Sequence, residues 1–293
     1  MQVVEKIDEL NEIIKKYKKE GKKIGLVPTM GALHNGHKSL IERASKNCDI
    51  SVVSVFVNPT QFGENEDFDK YPRIFENDKE VCERAGCDII FHPAPEEMYP
   101  EYKKGAPLKE NMKLRESSYM VKVPEKYTNR LCGKSRPGHF DGVCTIVSKL
   151  FNIVKPDVAF FGQKDIQQLI IIKNMCKNAN MDIEIQGCPI IRETSGLALS
   201  SRNSYLTKEQ KQKASSIHKV LSNIKSMFQN GETDKKKVFS ESLLLLDKDI
   251  SVEYLETCDI NTLDYCEKIR HNSFIAIAVK LGNVRLIDNV VIS

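Results

Sequence analysis

Apolar positions along the chain follow two different periods. In residues 3–19, Val4, Ile7, Leu10, Ile13, Ile14 and Tyr17 recur at helical spacing with charges on the opposite face, and Gly21 supplies a stop. Residues 23–28 then read as a short buried strand, 36–47 as a helix and 49–57 as a β-branched strand. Residues 73–86 read as a helix and 88–91 as a strand. This order, α then β-α-β-α-β, predicts a parallel sheet with helices on both faces.

The pattern breaks over residues 93–124, where Pro, Lys and Glu dominate. A long loop with one edge strand at 119–123 is expected there. Periodicity resumes with a helix at 140–154, a strand at 157–161, a helix at 165–178 and a strand at 182–187. Residues 1–190 therefore read as one doubly wound α/β domain. Residues 191–293 change order. Helices are expected at 208–230 and 234–246 and strands at 252–258, 274–281 and 284–286, which makes a smaller α+β C-terminal domain. No internal repeat or low-complexity tract interrupts either part.

The length of 293 residues agrees with two domains at roughly 150 residues each. With 41% hydrophobic and 29% charged residues, the composition excludes a wholly disordered or fibrous chain. The net charge of +4 is too small to argue for nucleic acid, and no Trp is present to stack on bases. The lysines at 15–23 and 235–237 read as solvated helix faces. No apolar run approaches the roughly 18 residues that span a bilayer, and the charged N-terminal segment has no apolar signal region. A cytoplasmic protein without membrane or nucleic-acid partners is expected. The nine cysteines are scattered, lack a C-x-x-C pair and lack zinc spacing, so free, mostly buried thiols are expected and no protein-bound metal.

Four turns carry candidate chemistry. The first, Pro28-Thr29-Met30-Gly31-Ala32-Leu33-His34-Asn35-Gly36-His37, follows the first buried strand and opens a helix. Backbone N–H groups at a helix start favour an anion, and Gly31 and Gly36 allow close approach. His34 and His37 are three apart, so both rings can lie on one side and donate to phosphate oxygens. The run from Gly31 to Ser39 imitates a phosphate-binding P-loop, but His37 displaces Lys38 and Ser39 by one place, which rejects that reading. Taken alone, H-x-G-H fits a helix cap with two surface histidines equally well.

The second turn is Gly162-Gln163-Lys164-Asp165, at the carboxyl end of a strand, where open α/β sheets bind ligands. Lys164 suits a phosphate; Asp165 suits either a ribose hydroxyl or a helix cap. The third is Leu199-Ser200-Ser201-Arg202-Asn203, either a polyphosphate cluster or a Ser-rich turn. The fourth is Phe56-Val57-Asn58-Pro59-Thr60-Gln61-Phe62-Gly63, where Gln61 could hold a hydroxyl or carboxylate, or the segment is simply an Asn-Pro turn. Three of the four end a predicted parallel strand, which gathers them at one sheet edge.

The segments PTMGALHNGH, NPTQF followed by YPR, RPGHFDGVCTIVSKLFNIVKPDVAFFGQKDIQQL, GLALSSRNSYL and RLIDN resemble the pantothenate synthetases, the pantoate–β-alanine ligases, over nearly the whole chain. HxGH alone marks a wider nucleotidyltransferase superfamily. The resemblance implies a Rossmann-like domain, a smaller domain closing over it, a homodimer, and ATP as substrate with Mg2+ and no tightly bound cofactor. It implies pantoate and ATP giving pantoyl adenylate and pyrophosphate, after which β-alanine displaces AMP. Neither step needs a covalent enzyme intermediate.

By the same resemblance, residues 30–37 would bind ATP, with His34 and His37 on the phosphates and His37 as proton donor. Gln61 and Gln168 would hold pantoate, and Gln61 would also meet β-alanine. Residues 162–165 would bind ATP, with Asp165 at the ribose and Lys164 at the phosphates. Ile191 would touch adenine through its backbone, and Leu199, Ser200, Ser201 and Arg202 would close on the departing pyrophosphate. The rival is another HxGH adenylyl- or nucleotidylyltransferase, against which Gln61 and Gln168 point to a small hydroxy acid. Residues 100–118 are longer and more charged than is usual in this family. The acidic segment Glu76-Asn77-Asp78 carries fewer acids than some members, with Asp78 the residue there that could face magnesium.

Overall fold

The computed structural model of the chain describes residues 1–64, 66–106, 108–111 and 113–293. It divides into two compact units. One comprises Met1–Gly162 with Ile171–Cys188, the other Gln163–Ile170 with Pro189–Ser293. The sequence places a single cut after residue 190; in the structure the stretch Gln163–Ile170 also groups with the second unit.

The first unit is built on a six-stranded, all-parallel sheet. Its strands are β1 (Gln2–Val4), β2 (Ile24–Thr29), β3 (Ile50–Val55), β4 (Ile89–Phe91), β5 (Val158–Gly162) and β6 (Glu184–Cys188), in the order β1-β4-β3-β2-β5-β6. The order runs one way from β2 to β4 and the other way from β5 to β6. The switch point therefore lies between β2 and β5. Helices α1 (Ile7–Lys19), α2 (Asn35–Asn47), α3 (Phe75–Arg84) and α4 (His139–Val154) flank the sheet, and α5 (Ile166–Asn178) connects β5 to β6. Val27 of β2, Val53 of β3 and Ile90 of β4 share a core with Leu40, Ile41 and Ala44 of α2 and Cys82 of α3. Alternate strand residues such as Leu26 and Val52 face the other side and are fully buried as well.

Two expectations are corrected here. Residues 2–4 form the parallel edge strand β1, pairing Gln2 with Ile89 and Val4 with Phe91, and the helix starts only at Ile7. Consecutive Val3 and Val4 suit a strand, and the Glu97 carboxylate accepts the Ile7 N–H at 2.9 Å, satisfying a donor at the helix start. Residues 119–123 form no strand. The N–H groups of Val121 and Val123 donate to Thr145 Oγ1 and Asp141 Oδ1 of α4, both at 2.9 Å, so side chains take the bonds a partner strand would supply. The excursion instead holds short helical turns at Pro95–Met98, Leu108–Asn111 and Leu114–Ser117, while Pro107 and Met112 lie outside the described residues.

The second unit packs α6 (Lys208–Ala214), α7 (Ser216–Gln229) and α8 (Lys235–Leu243) with an antiparallel sheet of β7 (Ile250–Asp259), β8 (Ser273–Leu281) and β9 (Val284–Ile292). Its core joins Ile217, Val220, Leu221 and Ile224 of α7 to Ile275, Ile277 and Val279 of β8. Residues 208–230 read as one helix in sequence, but the helix breaks at Ser215. There the Ser215 and Ser216 hydroxyls donate to the carbonyls of Gln212 and Lys213, three residues back, at 2.6 and 2.7 Å.

Candidate active site

The first buried strand ends in a turn whose backbone is tied down almost everywhere. Thr29 Oγ1 donates to the Ser54 carbonyl at 2.6 Å and accepts the Gly31 N–H at 3.2 Å. Gly31 has φ of +79° and Ala32 of +50°. A Cβ at Gly31 would lie 2.7 Å from Asp78 Oδ2, so both conformation and space call for glycine. The next two amides, Ala32 and Leu33, donate to Asp78 Oδ2 and Oδ1 at 3.0 and 2.7 Å. Burial pushes the Asp78 carboxyl above its usual range, while the Leu33 and Ala32 bonds pull the other way.

His34 and His37 then cap α2 reciprocally. His34 Nδ1 accepts the Gly36 N–H at 3.1 Å, and His37 Nδ1 accepts the His34 N–H at 3.4 Å. The ring centroids are 4.2 Å apart. Because each Nδ1 accepts a backbone proton, this network assigns each ring's own proton to Nε2. Both Nε2–H groups are donors on half-buried rings. The sequence expectation of backbone amides as phosphate donors changes accordingly. The amides of Gly31, Ala32, Leu33, His34 and Gly36 all have acceptors inside the protein.

The turn after β3, Pro59–Gln61, is buried and held by a network the sequence does not single out. Asn58 Nδ2 donates to Gln61 Oε1 and to the Gly142 carbonyl, both at 3.1 Å. Asn58 Oδ1 accepts from Thr60 Oγ1 at 3.0 Å and from the Tyr99 hydroxyl at 2.8 Å. Burial pushes the Tyr99 phenol up to about 12, which keeps it a donor. Gln61 Oε1 is thereby engaged, and its Nε2 protons have no partner among the described residues. In this orientation Gln61 presents donors, suited to a carboxylate or hydroxyl oxygen.

Three successive carbonyls of this turn are also capped. Arg115 donates from Nε and Nη2 to the Thr60 and Phe62 carbonyls, both at 2.9 Å. His139 Nδ1 lies 2.8 Å from the Gln61 carbonyl, and Arg136 Nη1 lies 2.9 Å from His139 Nε2. A guanidinium only donates, so His139 accepts at Nε2 and donates from Nδ1. Arg136 in turn grips Glu66 with two bonds of 2.7 and 2.6 Å. Gly142 of α4 backs the turn so closely that a Cβ there would overlap the Thr60 carbonyl. Arg136, His139 and Gly142 all lie in RPGHFDG, whose density of Gly and cationic residues was the available signal.

The second unit carries the remaining candidates, and it holds them from β9. Asn289 Nδ2 donates to the carbonyls of Gln163 and Lys164, both at 2.9 Å, fixing the turn Gln163–Asp165 that follows Gly162. Lys164 Nζ lies 3.6 Å from Asp165 Oδ1. Asp288 takes both nitrogens of the Arg192 fork at 2.6 and 2.9 Å, and Arg192 Nη1 also reaches the Gly196 carbonyl. That closes a short antiparallel loop in which the Leu199 N–H donates to the Ile191 carbonyl at 2.9 Å. Ser200 Oγ accepts the Arg202 N–H at 3.3 Å, capping the turn Ser201–Tyr205. Gln168 is half-buried in the first turn of α5. The predicted residues thus fall into two groups. Met30–His37, Gln61 and Gly162 belong to the first unit. Gln163, Lys164, Asp165, Gln168, Ile191 and Leu199–Arg202 belong to the second.

Residues 2–291 match the family model described as pantoate-beta-alanine ligase. A pantothenate synthetase of Caldicellulosiruptor bescii is 49% identical, covering 100% of this chain and 99% of its own length. Among solved structures, a pantothenate synthetase from Thermus thermophilus matches with a TM-score of 0.88 at 36% identity, covering 100% of this chain and 99% of that one. A pantoate-beta-alanine ligase from Francisella tularensis, complexed with beta-gamma ATP and beta-alanine, matches with a TM-score of 0.78 at 33% identity over 99% and 97% of the two chains.

Proposed function

This chain belongs to the pantoate–β-alanine ligase family, and from that premise we propose how its own residues carry the reaction. The reaction joins pantoate to β-alanine with ATP, giving pantothenate, AMP and pyrophosphate. In the first step a pantoate carboxylate oxygen attacks the α-phosphorus and the bond to the β-phosphate breaks. In the second, the β-alanine nitrogen attacks the acyl carbon, AMP leaves and the amine loses a proton. The carboxylate becomes a good acyl donor only through the adenylate.

The observation that carries the assignment is the His34–His37 pair, with two Nε2–H donors at the carboxyl end of β2, beside the switch point of the sheet. In our reading both rings donate Nε2–H hydrogen bonds to the phosphates of ATP, and the bond from His37 strengthens as charge gathers on the departing oxygen. Met30–His37, Gly162–Asp165, Ile191 and Leu199–Arg202 bind the nucleotide. Lys164 and Arg202 meet its phosphates and Asp165 its ribose. Gln61, through Nε2, and Gln168 hold pantoate, and Gln61 later meets β-alanine. The second unit is the lid that keeps water from the acyl adenylate.

Magnesium brought in with ATP would supply neutralisation of phosphate charge. Among the described residues no group of three or more His, Cys, Asp or Glu could hold the ion, and both Asp78 oxygens already accept amides. The imidazoles, Lys164 and Arg202 are assigned the protein's own share of phosphate charge. The family reading also carries a homodimer and a cytoplasmic location, which light scattering and cell fractionation measure.

Isotope exchange between ATP and pyrophosphate tests the assignment. Exchange should require pantoate and not β-alanine. His37→Ala and Lys164→Ala should lower it by about 10²–10³-fold. Both should lose less in the second step when synthetic pantoyl adenylate is supplied, since pyrophosphate is no longer involved. Equal losses in both steps, or exchange seen only with β-alanine, would overturn the roles given to these residues.

A further inference from the structure

Asp78 sits in the first turn of α3, where the helix dipole favours an acid, and only 1% of it is exposed. Its two oxygens take the N–H groups of Ala32 and Leu33, residues 46 and 45 positions earlier in the chain. A carboxylate bonded to two successive amides fixes two successive peptide planes. Those planes need fixing. Ala32 has φ of +50°, a region that residues with a Cβ rarely adopt, and it follows Gly31 at +79°. The next residue after Leu33 is His34, whose ring and amide both enter the reciprocal cap with His37.

The carboxylate is itself anchored. Phe75, at the start of α3, stacks on His92 with ring centroids 4.1 Å apart, and His92 Nδ1 lies 2.9 Å from the Val55 carbonyl at the end of β3. Asp78 is thus held relative to the sheet, and the turn is held to Asp78. The sequence offers this acid as one that could face magnesium. Its burial and its bonds to the backbone argue for another task.

We propose that Asp78 is a positioning residue for adenylate formation: its buried carboxylate locks the strained Gly31–Leu33 backbone and thereby sets the place of the His34 and His37 rings against the ATP phosphates. The inference rests on the reading of Met30–His37 as the nucleotide turn. It adds a residue that touches no substrate and a reason for glycine at position 31, where any Cβ would press on the same carboxylate.

The test is Asp78→Asn in the full chain, which keeps the shape and replaces one acceptor oxygen by an amino group. Amide hydrogen exchange at Ala32 and Leu33 should accelerate relative to the rest of the sheet. Pantoate-dependent ATP–pyrophosphate exchange should fall by about 10²-fold, the scale of a misplacement of about 1 Å. The magnesium concentration for half-maximal rate should stay unchanged. Unaltered protection at both amides would overturn the proposal, as would a raised magnesium requirement with protection intact, which marks a metal ligand. If Asp78→Asn does not fold, Gly31→Ala attacks the same contact from the other side and should produce the same paired changes; normal protection and rate there would equally overturn it. Lys164→Ala separates the premise from the inference. It should lower the rate with no change in exchange at Ala32 and Leu33. Full activity in that variant would remove the phosphate reading while the amide data still decide the clamp.

Discussion

Glu66 shows how a single charge can hold a turn in place from a distance. Burial alone would raise its carboxyl, but the two bonds and the charge of Arg136, helped by His139, hold it below its ordinary value of 4.5. A folded value below the unfolded one means the pair stabilises above the unfolded titration and loses that contribution as pH falls through the folded value. Wild type should therefore melt above Glu66→Gln at neutral pH, and the two should converge below about pH 4.5. A constant gap across that range would remove the ion pair from the account. At this scale the sequence singles out candidate ligand-facing residues more readily than the residues that hold them. Gln61 stands out as an amide in a turn after a strand. Tyr99, 41 residues from Asn58, and His139, 78 from Gln61, become its supports only through folding.

Elements repeat that division. The strands β2 to β6 and helices α1 to α5 were legible because each has a local period, and buried parallel strands read as continuous apolar runs. What failed was decided at long range. Strand β1 exists because β4, near residue 90, offers an edge, and residues 119–123 lose strand character because α4 takes their amides. The packing of α4 on the Pro59–Gln61 turn belongs to the same class, since the Gly-rich run RPGHFDG marks Gly142 as unusual but does not name the turn it packs against. Gly142→Ala tests it. The added methyl overlaps the Thr60 carbonyl, so the turn or the helix must shift, at about 1–3 kcal/mol of stability. The Michaelis constant for pantoate should rise while that for ATP changes little. A variant with normal pantoate kinetics would detach α4 from the substrate turn.

Across the whole molecule the nine cysteines are free, and eight are buried. Burial is the largest cause raising the thiols of Cys144, up to about 12, and of Cys176, to about 11, so neither ionises at neutral pH. Cys144→Ala should lower the melting temperature and leave the turnover of folded enzyme near wild type; a thousandfold loss would call for covalent catalysis. The two-part division was legible as a change of element order. The membership of Gln163–Ile170 was not, because β9 reaches the start of that stretch, through Asn289, from far along the chain.

That side chain also sets a clock. Asn289 and the Lys164 carbonyl are 125 residues apart, whereas Asp78 and the Leu33 amide are 45 apart. At roughly 5–20 residues per second of synthesis, the acid that fixes the histidine turn is made about 2–9 s after the turn itself. The asparagine that fixes the lysine turn is made about 6–25 s after its own. A ribosome-bound chain short of residue 289 thus already contains the acid that fixes the histidine turn but lacks the side chain that fixes the Gln163 and Lys164 carbonyls.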